Sequence, residues 1–167
     1  HGTAIVVLAG IINGLKVVGK KKEDCKVVVN GAGSAGVAIT KLLLTYGFPN
    51  IVMCDKVGIV SKDTEGLNWM QKKMTEVTNL QNETGTLADA MKGADIFVGV
   101  SAPNIVTPEM VASMNQDSIL FAMANPVPEI MSENRLAREA NSKAMIIILT
   151  QAKSRARSRK GILTLQI

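Results

Sequence analysis

The sequence predicts an α/β fold, in which helices cover both faces of one open, doubly wound parallel sheet within a single domain. Three observations predict this fold. Short runs rich in Val and Ile alternate with helical patterns along most of the chain. A glycine-rich turn joins the first of these runs to a helix, and polar or proline-containing loops follow the later ones. The length of 167 residues suits one domain with a substantial core.

Residues 3–18 are predicted to form the first helix, with Thr3 capping its start and Gly19 ending it. The segment is apolar nearly all round, which indicates burial on more than one side. An Asn and a Lys interrupt it before it reaches the ~20 apolar residues of a membrane span, so we expect no membrane contact. The chain begins without Met, and we expect residues 1–20 to link to a catalytic domain that precedes this fragment.

Residues 26–55 carry the pattern of a strand, a glycine turn, a helix and a second strand. Gly31, Gly33 and Gly36 have the G-x-G-x-x-G spacing, and Asp55 ends the second strand roughly 20 residues further on. Gly31 permits a sharp turn, Gly33 leaves room for a pyrophosphate, and Gly36 lets the helix pack close to the sheet. The combination is typical of a Rossmann-like dinucleotide site.

The charges around this turn favour NAD as the ligand. The helix start would present free N–H groups and a partial positive charge to the phosphates. Asp55 can accept hydrogen bonds from a ribose 2′-OH and would repel a 2′-phosphate, which favours NAD over NADP. The alternative is a tight turn without a ligand, in which Asp55 only caps a strand. The flanking strand, helix and acid favour the dinucleotide site.

The other elements of this NAD-binding domain, which we place at residues 21–150, follow from periodicity and capping patterns. Residues 56–65 predict a polar connection. The predicted helices are 67–77, 86–92, 107–114 and 132–140, and the predicted strands are 95–100, 118–123 and 144–149. Thr86 and Thr107 are expected to cap their helices. Trp69 is the only tryptophan, and we expect it in the core.

Two loops leave the predicted carboxyl ends of later strands, at residues 101–104 and 124–128. An α/β sheet places its ligands at this edge. Two prolines stiffen the second loop, and its Asn125 carries both an amide donor and a carbonyl acceptor. A ligand contact and a plain turn asparagine before proline are both open for this residue.

The net charge of +5 is concentrated at the carboxyl terminus. Residues 151–167 hold five Lys and Arg residues and no acid, whereas the rest of the chain has 14 basic and 14 acidic residues. A neutral body gives no electrostatic reason to bind nucleic acid, and we expect the tail to be disordered. Cys25 and Cys54 are too few for a disulfide framework, so we expect them reduced and buried in a cytoplasmic protein.

Groups that could perform acid–base or metal chemistry are scarce. The only histidine is His1, which we interpret as a remnant of a longer segment and not as a base. No His, Cys and Asp residues have metal-ligand spacing, and no Ser-His pair is available for nucleophilic catalysis. The chain therefore resembles the cofactor half of a dehydrogenase, and we predict no catalytic residue and no metal ligand in it.

Several segments resemble, in order, the NAD-binding domain of bacterial malic enzymes. They read HGTAIV, VVVNGAGSAGVAI, NIVMCDKVGIV, GTLADAMKGADIFVGVSAPN and FAMANPVPEI, and the resemblance runs from His1 to about Leu149. It implies the oxidative decarboxylation of malate to pyruvate and CO2 with NAD or, less often, NADP. It also implies Mg or Mn and a homo-oligomer, a dimer, in the complete enzyme.

The resemblance assigns roles to individual positions. The implied pyrophosphate contacts are Gly31, Gly33, Ser34, Ala35 and Gly36. The cofactor's path is implied to be lined by Val100, Ser101 and Ala102. Asp55 would hold the adenosine ribose, Thr3 would lie near the nicotinamide, and Asn125 would contact the nicotinamide or the substrate.

The family's general-acid Tyr, base Lys and acidic metal ligands lie upstream of the position that matches His1. The resemblance therefore predicts a fragment that is inactive alone. Asn104 departs from the family, which more usually has Gly there. After Thr150 the family continues with G-R-S-D-F/Y-P-N-Q, whereas this chain has an atypical basic tail at 151–167.

Other functions stay open at this point. A non-catalytic NAD-sensing module of transporters or channels usually begins with the nucleotide strand, so helix 3–18 counts against it. Anion or RNA binding through the basic cluster 153–160 would show steep salt dependence. An amino-acid or folate dehydrogenase domain is a further alternative, which the Asn125-Pro126 loop argues against.

Overall fold

The computed structural model of this chain describes residues 2–130, 145–150 and 162–166. The helices are α1 (Gly2–Val18), α2 (Ser34–Tyr46), α3 (Trp69–Thr75), α4 (Leu87–Met91) and α5 (Pro108–Ser113), with a 3-10 helix at Lys22–Asp24. The strands are β1 (Lys26–Asn30), β2 (Asn50–Asp55), β3 (Gly58–Ile59), β4 (Ile96–Gly99), β5 (Ile119–Ala122), β6 (Met145–Thr150) and β7 (Ile162–Gln166). The predicted helix 132–140 and the basic cluster 153–160 lie outside the described residues.

The strands form one seven-stranded sheet in the order β3-β2-β1-β4-β5-β6-β7. All neighbours are parallel except β3, which runs antiparallel to β2. The order places β1 inside the sheet, with β2 on one side and β4 on the other. The chain therefore winds outward in both directions from β1, which confirms the doubly wound α/β prediction.

Side chains of the strands alternate between two hydrophobic cores. Val27 and Val29 of β1 pack in a cluster that includes α1 and α2, whereas Val28 belongs to a second cluster that includes α4 and α5. Both cores are mostly aliphatic, as the sequence composition predicts. Burial on both faces explains why the strands are nearly continuous apolar runs.

α1 is the early helix that the sequence predicts, and it runs antiparallel to β5. The expected burial on more than one side is wrong: its buried residues lie on one face, whereas Ile5 and Val17 are 61% and 73% exposed. A Cβ atom added at Gly14 would lie 2.8 Å from Ile119, and one added at Gly10 would lie 2.7 Å from the Phe121 ring. Two small residues thus bring the helix close to the sheet. Because the helix passes from Phe121 back to Ile119, its amino-terminal end points toward the carboxyl edge of the sheet.

The ends of α1 agree with the prediction in part. Gly19 follows the helix with φ at +70°, as expected for a left-handed end. Thr3 does not cap the start, because the helix already includes Gly2. No helix in the described part of the chain combines the length and the apolar character that crossing a bilayer requires.

Two of the predicted helix caps are present. The Thr86 hydroxyl accepts from the Asp89 N–H at 3.3 Å, and the Asp89 carboxylate accepts from the Thr86 N–H at 2.9 Å, which completes a capping box. Thr107 caps α5 by accepting from the N–H of Met110 at 3.3 Å, and Pro108 occupies the first turn.

The predicted polar connection at 56–65 contains a strand. Gly58 pairs with Asp55 and Ile59 pairs with Cys54, so the chain reverses tightly after β2 and adds the antiparallel strand β3. Gly58 has φ at +101°, which favours glycine at this reversal. The hairpin buries Ile59 to 4% exposure, and this burial explains why the short strand forms.

Two further expectations are wrong. Trp69 is 73% exposed and not in the core, because the buried face of α3 consists of Gln71, Met74 and Thr75. The disorder expected for the whole tail does not hold at 162–166, which pair in parallel with β6. The sequence ILTLQ in this segment has the Leu and β-branched residues that extend a sheet.

The opposite edge of the sheet, where the strands begin, is held by Asp95. Its Oδ1 accepts from Lys20 Nζ at 2.8 Å and from Asn115 Nδ2 at 3.0 Å, and its Oδ2 accepts from the Lys26 N–H at 2.9 Å. Burial by itself raises the pKa of Asp95, but these hydrogen bonds outweigh it and hold the pKa below its ordinary value. The carboxylate therefore stabilises the folded protein.

We expect Asp95→Asn to lower the free energy of unfolding at pH 7 by about 1–3 kcal/mol, because an amide cannot accept on both sides of the cluster. A depressed folded-state pKa stabilises the fold above the unfolded value of about 3.9, and this stabilisation is lost as the pH falls through the folded value. The difference in unfolding free energy between wild type and variant should therefore become smaller below about pH 4. Urea unfolding from pH 7 to pH 3 measures it, with the exposed Asp24→Asn as control. A difference that stays constant would contradict the assignment.

Candidate functional site

The chain reverses its winding direction between β1 and β4. At such a switch point, a doubly wound sheet has its ligand crevice at the carboxyl edge. Gly31 leaves β1 with φ at +114°, and its N–H donates to the Cys54 carbonyl at 2.8 Å. A Cβ atom on Gly31 would lie 2.8 Å from the Val100 carbonyl oxygen. The glycine turn therefore lies directly against the end of β4, at the switch point.

The start of α2 faces open space. Gly33 occupies the cap position with φ at −83°, and a Cβ atom there would have no heavy atom within 4 Å. Gly33, Ser34 and Ala35 are all exposed. A Cβ on Gly36, by contrast, would lie 1.8 Å from the Gly31 carbonyl oxygen. The first turn of the helix thus packs closely against the glycine turn, while the helix start is open to solvent. Its free N–H groups are therefore accessible to an anionic ligand.

Asp55 lies at the end of β2, half-buried beside this turn. Its Oδ1 accepts from the Lys56 N–H and its Oδ2 accepts from Gln71 Nε2, both at 2.8 Å. Gln71 Nε2 also lies 3.5 Å from the Ala32 carbonyl, which places Asp55 next to the glycine turn. A carboxylate has about four acceptor sites, so capacity remains for two ribose hydroxyls.

The sequence analysis missed Gln71, which holds Asp55 in place. Gln71 is 9% exposed and forms a capping box with Asn68, in which each residue accepts from the backbone N–H of the other. Its side chain is therefore fixed at both ends of the amide. The Asn-x-x-Gln spacing ahead of the helical pattern is a capping signal that could have identified it.

The loops after β4 and β5 bring the remaining predicted positions to the same edge. Val100 is half-buried and donates its N–H to the Asn30 carbonyl at 2.9 Å, and Ser101 and Ala102 are exposed beyond it. Asn125 is exposed in the next loop and precedes Pro126 through a cis peptide bond. The structure thus places these residues at one edge of the sheet, and their contacts with a cofactor stay predictions.

Thr3 belongs to the same edge through the direction of α1. The helix approaches the carboxyl end of β5 at Gly10, and Thr3 lies seven residues earlier, roughly 10 Å further along the helix axis. It is exposed. Its place near a nicotinamide is compatible with this position and stays a prediction.

Glu129 is the second residue of the site that the sequence analysis missed. It is 0% exposed, and its carboxylate accepts from the N–H of Ser101 at 3.0 Å and from the N–H of Ala124 at 2.9 Å. The only signal in the sequence is a single acid inside the otherwise apolar PVPEI segment.

The other reactive groups near the sheet are inert or dispersed. Cys25 and Cys54 are free and buried, as predicted, and burial raises the pKa of Cys25 to about 11 and that of Cys54 to about 12. At neutral pH both thiols are therefore protonated, and a protonated thiol is a poor nucleophile. Within the described ranges, no three His, Cys, Asp or Glu side chains come together as a possible metal site.

Comparisons with known proteins agree on one family. The family model "Malic enzyme, NAD binding domain" matches residues 1–148. The bifunctional malic/malolactic enzyme of Bacillus subtilis is 49% identical over 146 residues, which cover 87% of this chain and 35% of that protein. The NADP-dependent malic enzyme of Rhizobium meliloti is 42% identical over 137 residues, which cover 80% and 17%.

A solved structure shows the same similarity. The NAD-dependent malic enzyme of Thermotoga maritima superposes with a TM-score of 0.82 at 44% identity and covers 91% of this chain and 40% of that one. The chain thus spans 40% or less of the length of each of these proteins. Both NAD and NADP occur in the names of the relatives.

Substitutions at Gly33 and Gly36 distinguish an effect on ligand binding from an effect on the stability of the fold. Gly33→Ala fits the free protein, so its unfolding free energy should stay within about 0.5 kcal/mol of wild type. Its methyl group would occupy the ligand's approach and should weaken NADH binding on the order of tenfold or more, or about 1.4 kcal/mol.

Gly36→Ala should instead lower the unfolding free energy by more than about 2 kcal/mol, since the new Cβ meets the Gly31 carbonyl. Urea unfolding and NADH fluorescence titration measure the two effects. Tight NADH binding by Gly33→Ala would show that the ligand does not approach the helix start.

Proposed function

Because this chain belongs to the malic enzyme family and forms its NAD-binding domain, we propose that it binds NAD for the oxidative decarboxylation of malate to pyruvate and CO2. One observation carries the proposal: the open start of α2 lies beside the Asp55 carboxylate in the switch-point crevice. This pairs a donor site for a diphosphate with an acceptor site for a sugar.

The residues of the crevice fit a dinucleotide in two parts. The N–H groups at Ser34 and Ala35 would donate to the pyrophosphate, which can approach closely because Gly33 has no side chain. The remaining acceptor capacity of Asp55 would bind the adenosine ribose hydroxyls. A 2′-phosphate would face the same negative charge, so we infer that NAD is preferred over NADP.

The loops after β4 and β5 would orient the nicotinamide half. Ser101 and Ala102 would line its path, and Asn125 can donate and accept hydrogen bonds at the nicotinamide or the substrate. Thr3 at the start of α1 would complete this side. When bound, the nicotinamide supplies the acceptor for the hydride that leaves malate.

We propose that acid–base groups and a Mg or Mn site come from a part of the enzyme outside these 167 residues. Among the residues that the structure describes, none form a candidate ligand set, so the metal does not fit them. The complete enzyme would be a cytoplasmic homodimer. We expect the chain alone to bind NADH without turning over malate, and NADH formation from malate by the purified chain would contradict this division.

NADH fluorescence titration of the purified chain tests the function directly. We expect saturable binding below millimolar cofactor, and we expect NADPH to bind more weakly because of the charge on Asp55. No binding of either cofactor at millimolar concentration would refute the proposal.

Asp55→Asn removes the charge and keeps the shape, so it should weaken NADH binding by about tenfold, as expected for the loss of a charge-assisted hydrogen bond. The same change should raise the affinity for NADPH relative to NADH. Asp24→Asn serves as a control, because Asp24 is exposed before β1 at the opposite edge of the sheet. Equal discrimination by wild type and Asp55→Asn would show that Asp55 does not contact the ribose.

A further inference from the structure

Glu129 lies late in the loop that leaves β5 and reaches across to the loop that leaves β4. Its Oε1 accepts from the Ser101 N–H and its Oε2 accepts from the Ala124 N–H. Both partners are donors, so both oxygens must accept. A carboxylate meets this requirement, whereas an amide would place its NH2 group against one of the donors.

The end of β4 leaves space for this carboxylate. A Cβ atom on Gly99 would lie 2.4 Å from Glu129 Cδ and 2.6 Å from its Oε1. The absence of a side chain at Gly99 therefore lets Glu129 reach the backbone beyond it. Of the ion pairs among the described residues, none includes Glu129. Burying a carboxylate is costly, and these two backbone donors offset part of its desolvation.

The backbone around Glu129 adds a second connection between the loops. The Glu129 carbonyl accepts from the Val106 N–H, and the Pro128 carbonyl accepts from the Asn104 N–H, both at 3.1 Å. Asn104 has φ at +54°, the left-handed region that Asn tolerates better than most residues. The segment 128–129 thus holds the β4 loop at its beginning, through Ser101, and at its end.

We propose that Glu129 is a positioning residue for the nicotinamide half of the cofactor, an inference that rests on the proposed function. It fixes the spacing between Ser101 and Ala124, and Asn125 follows directly after Ala124. In a doubly wound sheet, β1 and β2 serve the adenosine half of a dinucleotide, and β4 and β5 serve the other half. The hydrogen bonds described above all join Glu129 to loops of the second half.

This selectivity can be measured with two ligands, NADH and ADP. ADP carries the adenosine and the pyrophosphate but no nicotinamide. We expect Glu129→Gln to weaken NADH binding by about tenfold, because one of the two loops loses its acceptor. ADP binding should stay within about twofold of wild type. Glu23→Gln is the matched control, because Glu23 is exposed in the 3-10 helix before β1, at the opposite edge of the sheet.

The outcomes separate this inference from the proposed function. Failure of the wild-type chain to bind NADH refutes the function itself. Wild-type binding of NADH with unchanged binding by Glu129→Gln refutes the positioning role alone. An equal loss of NADH and ADP binding also refutes it, because a general structural defect would affect both halves.

A second variant and a measurement on the wild type test the positioning role in case Glu129→Gln does not fold. Glu129→Asp keeps both acceptors but is one methylene shorter, so it should show the same selective loss of NADH. Should neither variant fold, hydrogen exchange of the wild type decides. Slow exchange of the Ser101 and Ala124 amides would support the role, and fast exchange would overturn it.

Discussion

The close approach of Gly36 to the carbonyl of Gly31 determines the geometry of the whole site. No side chain fits between them, so the first turn of α2 presses onto the turn that leaves β1. Gly31 is in turn bonded to the Cys54 carbonyl at the end of β2. The direction in which the helix presents its free N–H groups is therefore set by two backbone contacts and not by any flexible side chain.

The parallel register carries this geometry across the sheet. Asn30 lies opposite Cys54 on one side and Gly99 on the other, and Gly99 lies opposite Ala122. The four strands thus end within one residue of the same level, and the loops that follow them share one edge. This explains why a carboxylate after β2, the exposed loop after β4 and an asparagine after β5 surround one crevice although the sequence separates them widely.

The two cooperating side chains of the site act in similar ways. Gln71 holds the Asp55 carboxylate from α3, and Glu129 holds the backbone of two loops from a position buried below them. The sequence motifs assign no ligand contact to Gln71 or Glu129. Each of them instead restricts the motion of residues that are predicted to contact the ligand, and so reduces the loss of conformational entropy on binding.

The sequence predicts the elements whose signal is local. The glycine spacing, the Thr86 and Thr107 caps and the alternation of strands and helices depend on neighbouring residues, and the structure contains them. Trp69 was misplaced because hydrophobicity alone does not decide which face of a short helix meets the sheet. Glu129 was missed because its partners lie 5 and 28 positions away and are backbone groups, which a sequence pattern does not reveal.

The two buried cysteines give the folded protein an unusual practical property. Both thiols stay protonated at neutral pH, so the native chain offers alkylating reagents almost no reactive sulfur. Cys54 is also the residue whose carbonyl anchors the glycine turn. Its thiol, however, packs in the core that includes α4 and α5, so labelling would require that core to open, and the rate of modification would report the opening.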